Sequence, residues 1–269
     1  MTSTVGEPQE VRSGSLQVAV WQHASDLDPA VNRAALDRVR TLADTADLVV
    51  LPEAFARDFG EPGSDLTAYA EPLDGPFATA LGDVSADHGA AVLAGMFERS
   101  GAGDKPYNTL VLAEPGRQTT YRKIHLYDSF GYRESETLSA GPTRPVSAVL
   151  GAVRVGLMTC YDLRFPELAR ALSSEGVDVL VVPAAWVAGP GKVAQWQTLL
   201  RARAIENLCW VVAAAQPGPR YCGHSMVVSP TGEVVAEAGD GDEVLEATLE
   251  LRAVDEARAL NPSLANRRM

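Results

Sequence analysis

The chain has 269 residues, 46% of them hydrophobic and 22% charged, which suits one large domain or two small ones around a sizeable core. A formal net charge of −12 argues against nucleic acid or an anionic membrane surface as a partner, because phosphates would be repelled. No apolar stretch approaches the length of a membrane span, and Met1 to Glu10 carry neither the basic nor the apolar region of a signal peptide.

In chain order, residues 1–14 are polar and aperiodic and read as a flexible leader, with the folded domain over 15–269. Leu16–Gln22 has strand character. A helix is predicted from about Pro29 to Ala46, apolar at Ala30, Val31, Ala34, Ala35, Val39 and Leu42, and a short buried strand at Leu48–Leu51. A helix near Phe77–His88 precedes the strand Ala91–Phe97. Tyr107–Leu112 and Thr119–Arg122 pair across the turn signal Glu114–Arg117, and residues 127–145 read as a loop.

The apolar run Val153–Cys160 is followed by a helix near Glu167–Ser174, a strand at Val177–Val182 and a helix over roughly Val193–Asn207. The later strands are Leu208–Ala214, Ser225–Val228, Glu233–Ala238 and Glu243–Leu249, with Ser229–Gly232 as a hairpin turn. Strands and helices alternate without a linker-like break, so one layered α/β domain with a mixed sheet system is expected. The three cysteines (160, 209 and 222) are an odd number without framework spacing, which points to reduced thiols and a cytoplasmic protein.

Three apolar strands end on a residue that can do chemistry: Glu53 after Leu51-Pro52, Lys123 after Tyr121-Arg122, and Cys160. Each has an ordinary reading: a first-turn helix acid, a solvated basic strand end, a buried inert thiol. Strands of one sheet also commonly deliver functional residues to one edge. A carboxylate, an ammonium and a thiol brought together would form an acyl-transfer site. The lysine and a helix N-terminus would favour the thiolate, the carboxylate would take the proton, and Lys123 with the Tyr161 N–H would hold the oxyanion.

Asp162 and Arg164 read first as structural, as a first-turn acid and an ion-pair partner; contact of Arg164 with a substrate carboxylate is the second reading. The competing readings are a Cys–His hydrolase using His224 or His125, a metal site built on Cys222 and His224, and a catalytically silent scaffold of the same fold.

The segments Leu51-Pro52-Glu53-Ala54-Phe55, Tyr121–Asp128 and Cys160-Tyr161-Asp162-Leu163-Arg164-Phe165-Pro166-Glu167-Leu168 resemble, in order, the three catalytic blocks of the nitrilase superfamily of carbon–nitrogen hydrolases. Arg133–Gly141, Arg201–Asn207 and Gly223–Val228 match further blocks, so the resemblance runs from Leu16 to about Asn261. It implies a single-domain, four-layer α-β-β-α sandwich of the nitrilase type. It also implies Glu53 as general base, Lys123 as oxyanion stabiliser, Cys160 as nucleophile and Glu134 as the second glutamate, with Tyr161 and Trp186 lining the oxyanion and substrate region.

No metal and no organic cofactor are implied. The implied partners are a small-molecule amide and a second copy of the chain, as a homodimer or higher homo-oligomer. Lys-Ile-His-Leu-Tyr-Asp and the Glu-Ser-x-Thr-Leu block are most similar to the amidase branch acting on small ω-amides, which includes ω-amidase and deaminated glutathione amidase. N-carbamoyl amino acids and nitriles fit the same three residues. The chain departs from the ω-amidase pattern in a shorter loop between Asp128 and Glu134, in Gln195-Trp196 for a His-Trp pair, and in Val187-Ala188-Gly189-Pro190-Gly191 for a Thr-Gly type turn.

Overall fold

The computed structural model describes residues 12–101 and 104–268. The first half runs β1 (Ser15–Gln22), α1 (Pro29–Ala34), α2 (Leu36–Ala43), β2 (Leu48–Val50), α3 (Pro76–His88), β3 (Ala91–Glu98), β4 (Tyr107–Glu114), β5 (Arg117–Arg122) and the two-residue strands β6 (Asp128–Ser129) and β7 (Tyr132–Arg133). The second half runs β8 (Ser147–Leu150), β9 (Val153–Leu157), α4 (Pro166–Ser174), β10 (Val179–Ala184), α5 (Lys192–Asn207), β11 (Trp210–Ala215), β12 (Met226–Val228), β13 (Val234–Glu237), β14 (Glu243–Glu250) and α6 (Leu251–Leu260).

The large strands form two six-stranded sheets, ordered β14-β1-β2-β3-β4-β5 and β13-β12-β11-β10-β9-β8. In each sheet the core strands β1-β2-β3 or β9-β10-β11 run parallel, with antiparallel strands outside them. The period-2 alternation of side chains separates the layers. Val18, Val20, Leu48, Val50, Leu93, Leu110 and Leu112 pack between the sheets against Val155, Leu157, Val179 and Val181. Their neighbours Ala19, Trp21, Val49, Leu51, Val92 and Val111 face outward onto Leu36, Val39 and Leu42 of α2 and Phe77, Leu81 and Val84 of α3.

On the far side of the second sheet, α4 contributes Leu168 and Leu172, and α5 contributes Trp196, Leu200 and Ala204. The result is the expected four-layer α-β-β-α sandwich.

Several elements differ from the sequence expectation. The helix foreseen over 29–46 is two helices that meet at Ala35, where Arg38 N–H bonds the Ala35 carbonyl one residue short of the α pattern. The strand foreseen at 177–182 runs Val179–Ala184; Asp178 just before it turns a buried carboxylate to the Arg154 N–H and to Arg12. The region 127–145 contains the β6–β7 ladder and a 3-10 turn over Glu134–Glu136.

Two elements had no counterpart in the sequence reading. One is the edge strand β8; the other is α6, whose buried Leu251, Val254 and Ala257 recur at three-residue spacing. Residues 1–11 of the proposed leader lie outside the described residues. Arg12 binds Asp255 and Asp178, with a 2.8 Å contact to each. No described helix is long and apolar enough to cross a membrane.

Candidate active site

Glu53, Lys123 and Cys160 follow β2, β5 and β9 at one edge of the sandwich and line a common cavity of about 420 Å³. Glu134, Tyr161 and Trp186 line it as well, so all six residues singled out from the sequence meet there.

Close backbone approach makes room for the carboxylate. The chain carrying Glu53 lies so near β3 that a Cβ on Gly95 would sit 2.4 Å from Ala54 N and 2.8 Å from Glu53 Cα, so only glycine fits. Gly141 plays the same part behind the lysine strand, where a Cβ would come 2.3 Å from the Arg122 carbonyl oxygen. The Lys123 backbone is pinned on both sides, its N–H donating to the Asn108 carbonyl and its carbonyl accepting from Gly141 N–H, each at 2.8 Å.

Lys123 Nζ donates to Glu53 Oε1 at 2.9 Å and to Glu134 Oε2 at 2.9 Å and Oε1 at 3.2 Å. Asn108 Nδ2 adds bonds to Glu53 Oε1 at 2.7 Å and Glu134 Oε1 at 3.1 Å. Glu53 Oε2 accepts the Ala185 N–H at 2.7 Å, and Glu134 Oε2 accepts the Tyr127 N–H at 2.6 Å. Gln216 Nε2 holds the Glu53 carbonyl at 2.9 Å.

Glu53, Lys123 and Glu134 are all buried. Burial alone would push the lysine to lose its proton; Glu134, Glu53 and Cys160 outweigh it and raise the Lys123 pKa well above its usual value. The floor of the cavity therefore favours the charged ammonium, held between the carboxyl groups of Glu53 and Glu134.

Cys160 opens a 3-10 turn over Cys160–Arg164 with φ at 46°, in the left-handed region that non-glycine residues rarely adopt. The turn is held by Asp162, whose own N–H donates to the Thr159 carbonyl at 2.9 Å. Asp162 Oδ2 accepts Thr159 N–H at 2.9 Å and Tyr121 Oη–H at 2.6 Å, while Oδ1 accepts His125 N–H at 3.1 Å and lies 2.7 Å from His125 Nδ1. Tyr121 and His125 flank Lys123 at two-residue spacing, so this one buried carboxylate ties the lysine strand end to the cysteine turn.

Two expectations are corrected here. The cysteine was expected as a thiolate beside a helix terminus. Instead, burial and then the negative charge of Glu53 push its pKa well above the ordinary thiol value, and Lys123 only partly opposes them. Burial, the first of these causes, thus disfavours the expected thiolate. Arg164, read as an ion-pair partner, has no acidic partner among the described residues: its guanidinium lines the cavity, lies 4.8 Å from the Trp186 ring and donates to Gln195 Oε1 at 2.7 Å.

The histidine alternatives lie elsewhere. His125 stacks on Phe165 with ring centroids 3.7 Å apart and bonds Asp162, and His224 pairs with Glu237 and Asp240; neither lines the cavity. The Cys222 Sγ–H donates to the Gly223 carbonyl, and among the described residues no group of three or more His, Cys, Asp or Glu could hold a metal ion.

Sequence reasoning missed Asn108 and Gln216, which hold Glu53, and Lys192, which lines the cavity. Asn108 did leave a signal, a polar residue at the start of the apolar run Thr109–Ala113.

The description carbon-nitrogen hydrolase fits residues 15–259, the span of the matching family model. The chain belongs to that family. It is 37% identical over 263 residues to the deaminated glutathione amidase of Escherichia coli O157:H7, covering 96% of this chain and 97% of that one. It is 36% identical over 275 residues to the 2-oxoglutaramate amidase of Paenarthrobacter nicotinovorans, covering 95% and 90%. Among solved structures it resembles XC1258 from Xanthomonas campestris, a CN-hydrolase superfamily protein, with a TM-score of 0.86 at 31% identity over 95% of this chain and 98% of that one. The chain is thus an enzyme of the carbon–nitrogen hydrolase family with a nitrilase-superfamily fold.

Proposed function

We propose that this hydrolase is an amidase acting on small ω-amides with a 2-oxoglutaryl acyl chain, the chain shared by 2-oxoglutaramate and deaminated glutathione, through a thioester on Cys160. The observation that carries this reading is the meeting of Glu53, Lys123 and Cys160 in one cavity, with Lys123 Nζ donating to Glu53 Oε1 at 2.9 Å. Similarity to amidases named for those two substrates supports the acyl group.

Glu53 takes the thiol proton as Cys160 Sγ attacks the amide carbon. The carbonyl oxygen becomes an oxyanion, stabilised by the Lys123 ammonium and the Tyr161 N–H. When the C–N bond breaks, protonated Glu53 passes its proton to the leaving amine, which is ammonia from a primary amide. The same carboxylate then deprotonates a water that attacks the thioester. The tetrahedral species expels the thiolate, the acid leaves, and the thiol is protonated again. A carboxylate could not activate a serine hydroxyl this way, whereas a thiol with pKa near 8.5 in water is within its reach. Glu134 and Asn108 act on Lys123 and Glu53 as positioning residues.

The assembly and setting extend the same reading. A homodimer is supported by the exposed apolar side chains of Ile205 on α5 and of Val234 and Val235 on β13; sedimentation of wild type and Ile205→Glu tests it, with a lighter species expected in the variant. Cys160, Cys209 and Cys222 are all unpaired, which accords with a cytoplasmic location.

The function is tested by 2-oxoglutarate release from 2-oxoglutaramate and deaminated glutathione, beside product release from an N-carbamoyl amino acid, an aliphatic amide and a nitrile. Turnover led by the first two is expected. A clear preference for the carbamoyl compound or the nitrile would overturn the substrate class.

A further inference from the structure

The carboxylate and the thiol come from different sheets. Cys160 follows β9 of the second sheet, whereas Glu53 follows β2 of the first. A proton passes between them only within hydrogen-bond reach, and a misplacement of about 1 Å can cost on the order of 10²-fold in rate. The strand ends of the two sheets must therefore be fixed against each other at this point.

The backbone at Glu53 does not hold itself. Ala54, the next residue, has φ at 56°, in the left-handed region that a side chain disfavours. Such a conformation persists only where its surroundings impose it. Two strand ends of the second sheet supply the constraint. Ala185, just after β10, donates its N–H to Glu53 Oε2 at 2.7 Å, and Gln216, just after β11, donates from Nε2 to the Glu53 carbonyl at 2.9 Å. The strands β9, β10 and β11 are parallel neighbours, so Cys160, Ala185 and Gln216 leave one edge of one sheet. Glu53 is thus gripped, at its carboxylate and at its backbone, by the sheet that carries the thiol.

Ala185 acts through a backbone N–H that any residue would supply; Gln216 acts through its side chain. That side chain is buried, and its Oε1 accepts the Ser25 N–H at 3.0 Å from the segment after β1. An acceptor on one side and a donor on the other admit one orientation of the amide. The Gln216 backbone is fixed in turn, its N–H donating to the Ala184 carbonyl at 2.9 Å and its carbonyl accepting from Gly223 N–H at 3.0 Å.

We propose that Gln216 is a positioning residue for the reaction: it holds the Glu53 backbone to the sheet that carries Cys160 and so sets the reach of the carboxylate to the thiol. Its role rests on the reading of Glu53 as the proton acceptor of Cys160. Glu53, Lys123 and Glu134 are the charged groups that act on the thiol, and of these Gln216 bonds Glu53 alone.

Gln22, at the end of β1, is the natural control. It is also buried and also bonds backbone groups, its Oε1 accepting Ser225 N–H at 2.8 Å and its Nε2 donating to the Gly239 and Gly241 carbonyls at 2.7 and 2.6 Å. None of these partners lines the cavity. The test compares Gln216→Met with Gln22→Met, each of which keeps the length of the side chain and removes its hydrogen bonds. Alkylation of Cys160 by iodoacetamide is followed against pH and read by peptide mass, which separates it from Cys209 and Cys222. Both variants are expected to melt a few degrees below wild type, because each leaves buried backbone groups unpaired.

Only Gln216→Met is expected to move the Cys160 midpoint, downward by roughly half a pH unit, because a carboxylate drawn away from the thiol opposes its ionisation less. Its kcat on 2-oxoglutaramate is expected to fall about tenfold with KM within about twofold of wild type. Gln216→Asn keeps an amide one methylene too short; a smaller shift in the same direction is expected, and this variant decides if Gln216→Met does not fold. The proposal is overturned by an unmoved midpoint in the Gln216 variant, or by an equal shift in Gln22→Met, which would make both glutamines structural. Glu53→Gln separates the two levels. No shift there removes Glu53 as the thiol's partner and the proposal with it; a shift there and none at Gln216 removes Gln216 alone.

Discussion

The floor and the mouth of the same cavity are built on opposite electrostatic plans. At the floor, Lys123, Glu53, Glu134 and Asn108 bond one another at 2.7 to 3.1 Å and are buried. At the mouth, Arg164 and Lys192 share two aromatic rings and no acid. Buried charges survive only when paired, so the floor is complete before substrate arrives and suits chemistry common to many amides. At the mouth, contacts with aromatic rings stand where the floor has ion pairs. Substitutions at the floor are therefore expected to act on the chemistry more than on the choice of substrate.

The largest effects belong to the floor. Lys123→Ala is expected to lower kcat by about 10²–10³, the usual consequence of losing one oxyanion donor. It also leaves two buried carboxylates facing each other without their cation, so a lower melting temperature is expected, on the order of 3–5 kcal/mol of stability. Near-normal turnover in this variant would remove Lys123 from the oxyanion role. Glu53→Gln is expected to abolish hydrolysis and yet shift the pH midpoint of Cys160 alkylation downward, because the carboxylate's charge is one of the causes holding the thiol protonated. Lys123→Ala should shift that midpoint upward. Movement of the two midpoints in the same direction would refute the electrostatics of the floor.

Smaller effects mark the scaffold between floor and turn. Asn108→Ala frees Glu53 and Glu134 from a shared donor and is expected to reduce kcat about tenfold with little change in KM. Tyr121→Phe removes one donor from the buried Asp162 and should lower stability by about 1–3 kcal/mol in a thermal melt while leaving selectivity among amides unchanged. A change of substrate preference in either variant would blur the division between floor and mouth.

The sequence made the floor legible because its residues end apolar strands: Glu53 and Lys123 follow β2 and β5 of the first sheet, Cys160 follows β9 of the second, and the stacking of the sheets joins those ends. Glu53, Lys123 and Cys160 stand out for that reason. Asn108 stands out less, being polar inside β4, and the Ala185 N–H that binds Glu53 leaves no trace in sequence because any residue supplies a backbone N–H.

The sign of the cysteine's pKa was also out of reach. It depends on burial and on the side of the thiol from which Glu53 approaches, and neither follows from spacing. The mouth was the least legible part. Lys192 looks like an ordinary first-turn lysine until the fold sets it over Phe130, and Arg164 looks like an ion-pair partner until the fold gives it no acid. For the layers, period-2 alternation sufficed, whereas β8 is a short edge strand and α6 a brief three-residue pattern beyond the last obvious strand.

The most direct test is 2-oxoglutarate release from 2-oxoglutaramate by wild type and Cys160→Ala, side by side, with circular dichroism confirming that both are folded. Turnover in the wild type and none in the variant is the expected result. Turnover that persists in Cys160→Ala would mean that the thiol at the 3-10 turn is not the nucleophile, and the thioester route would fall with it.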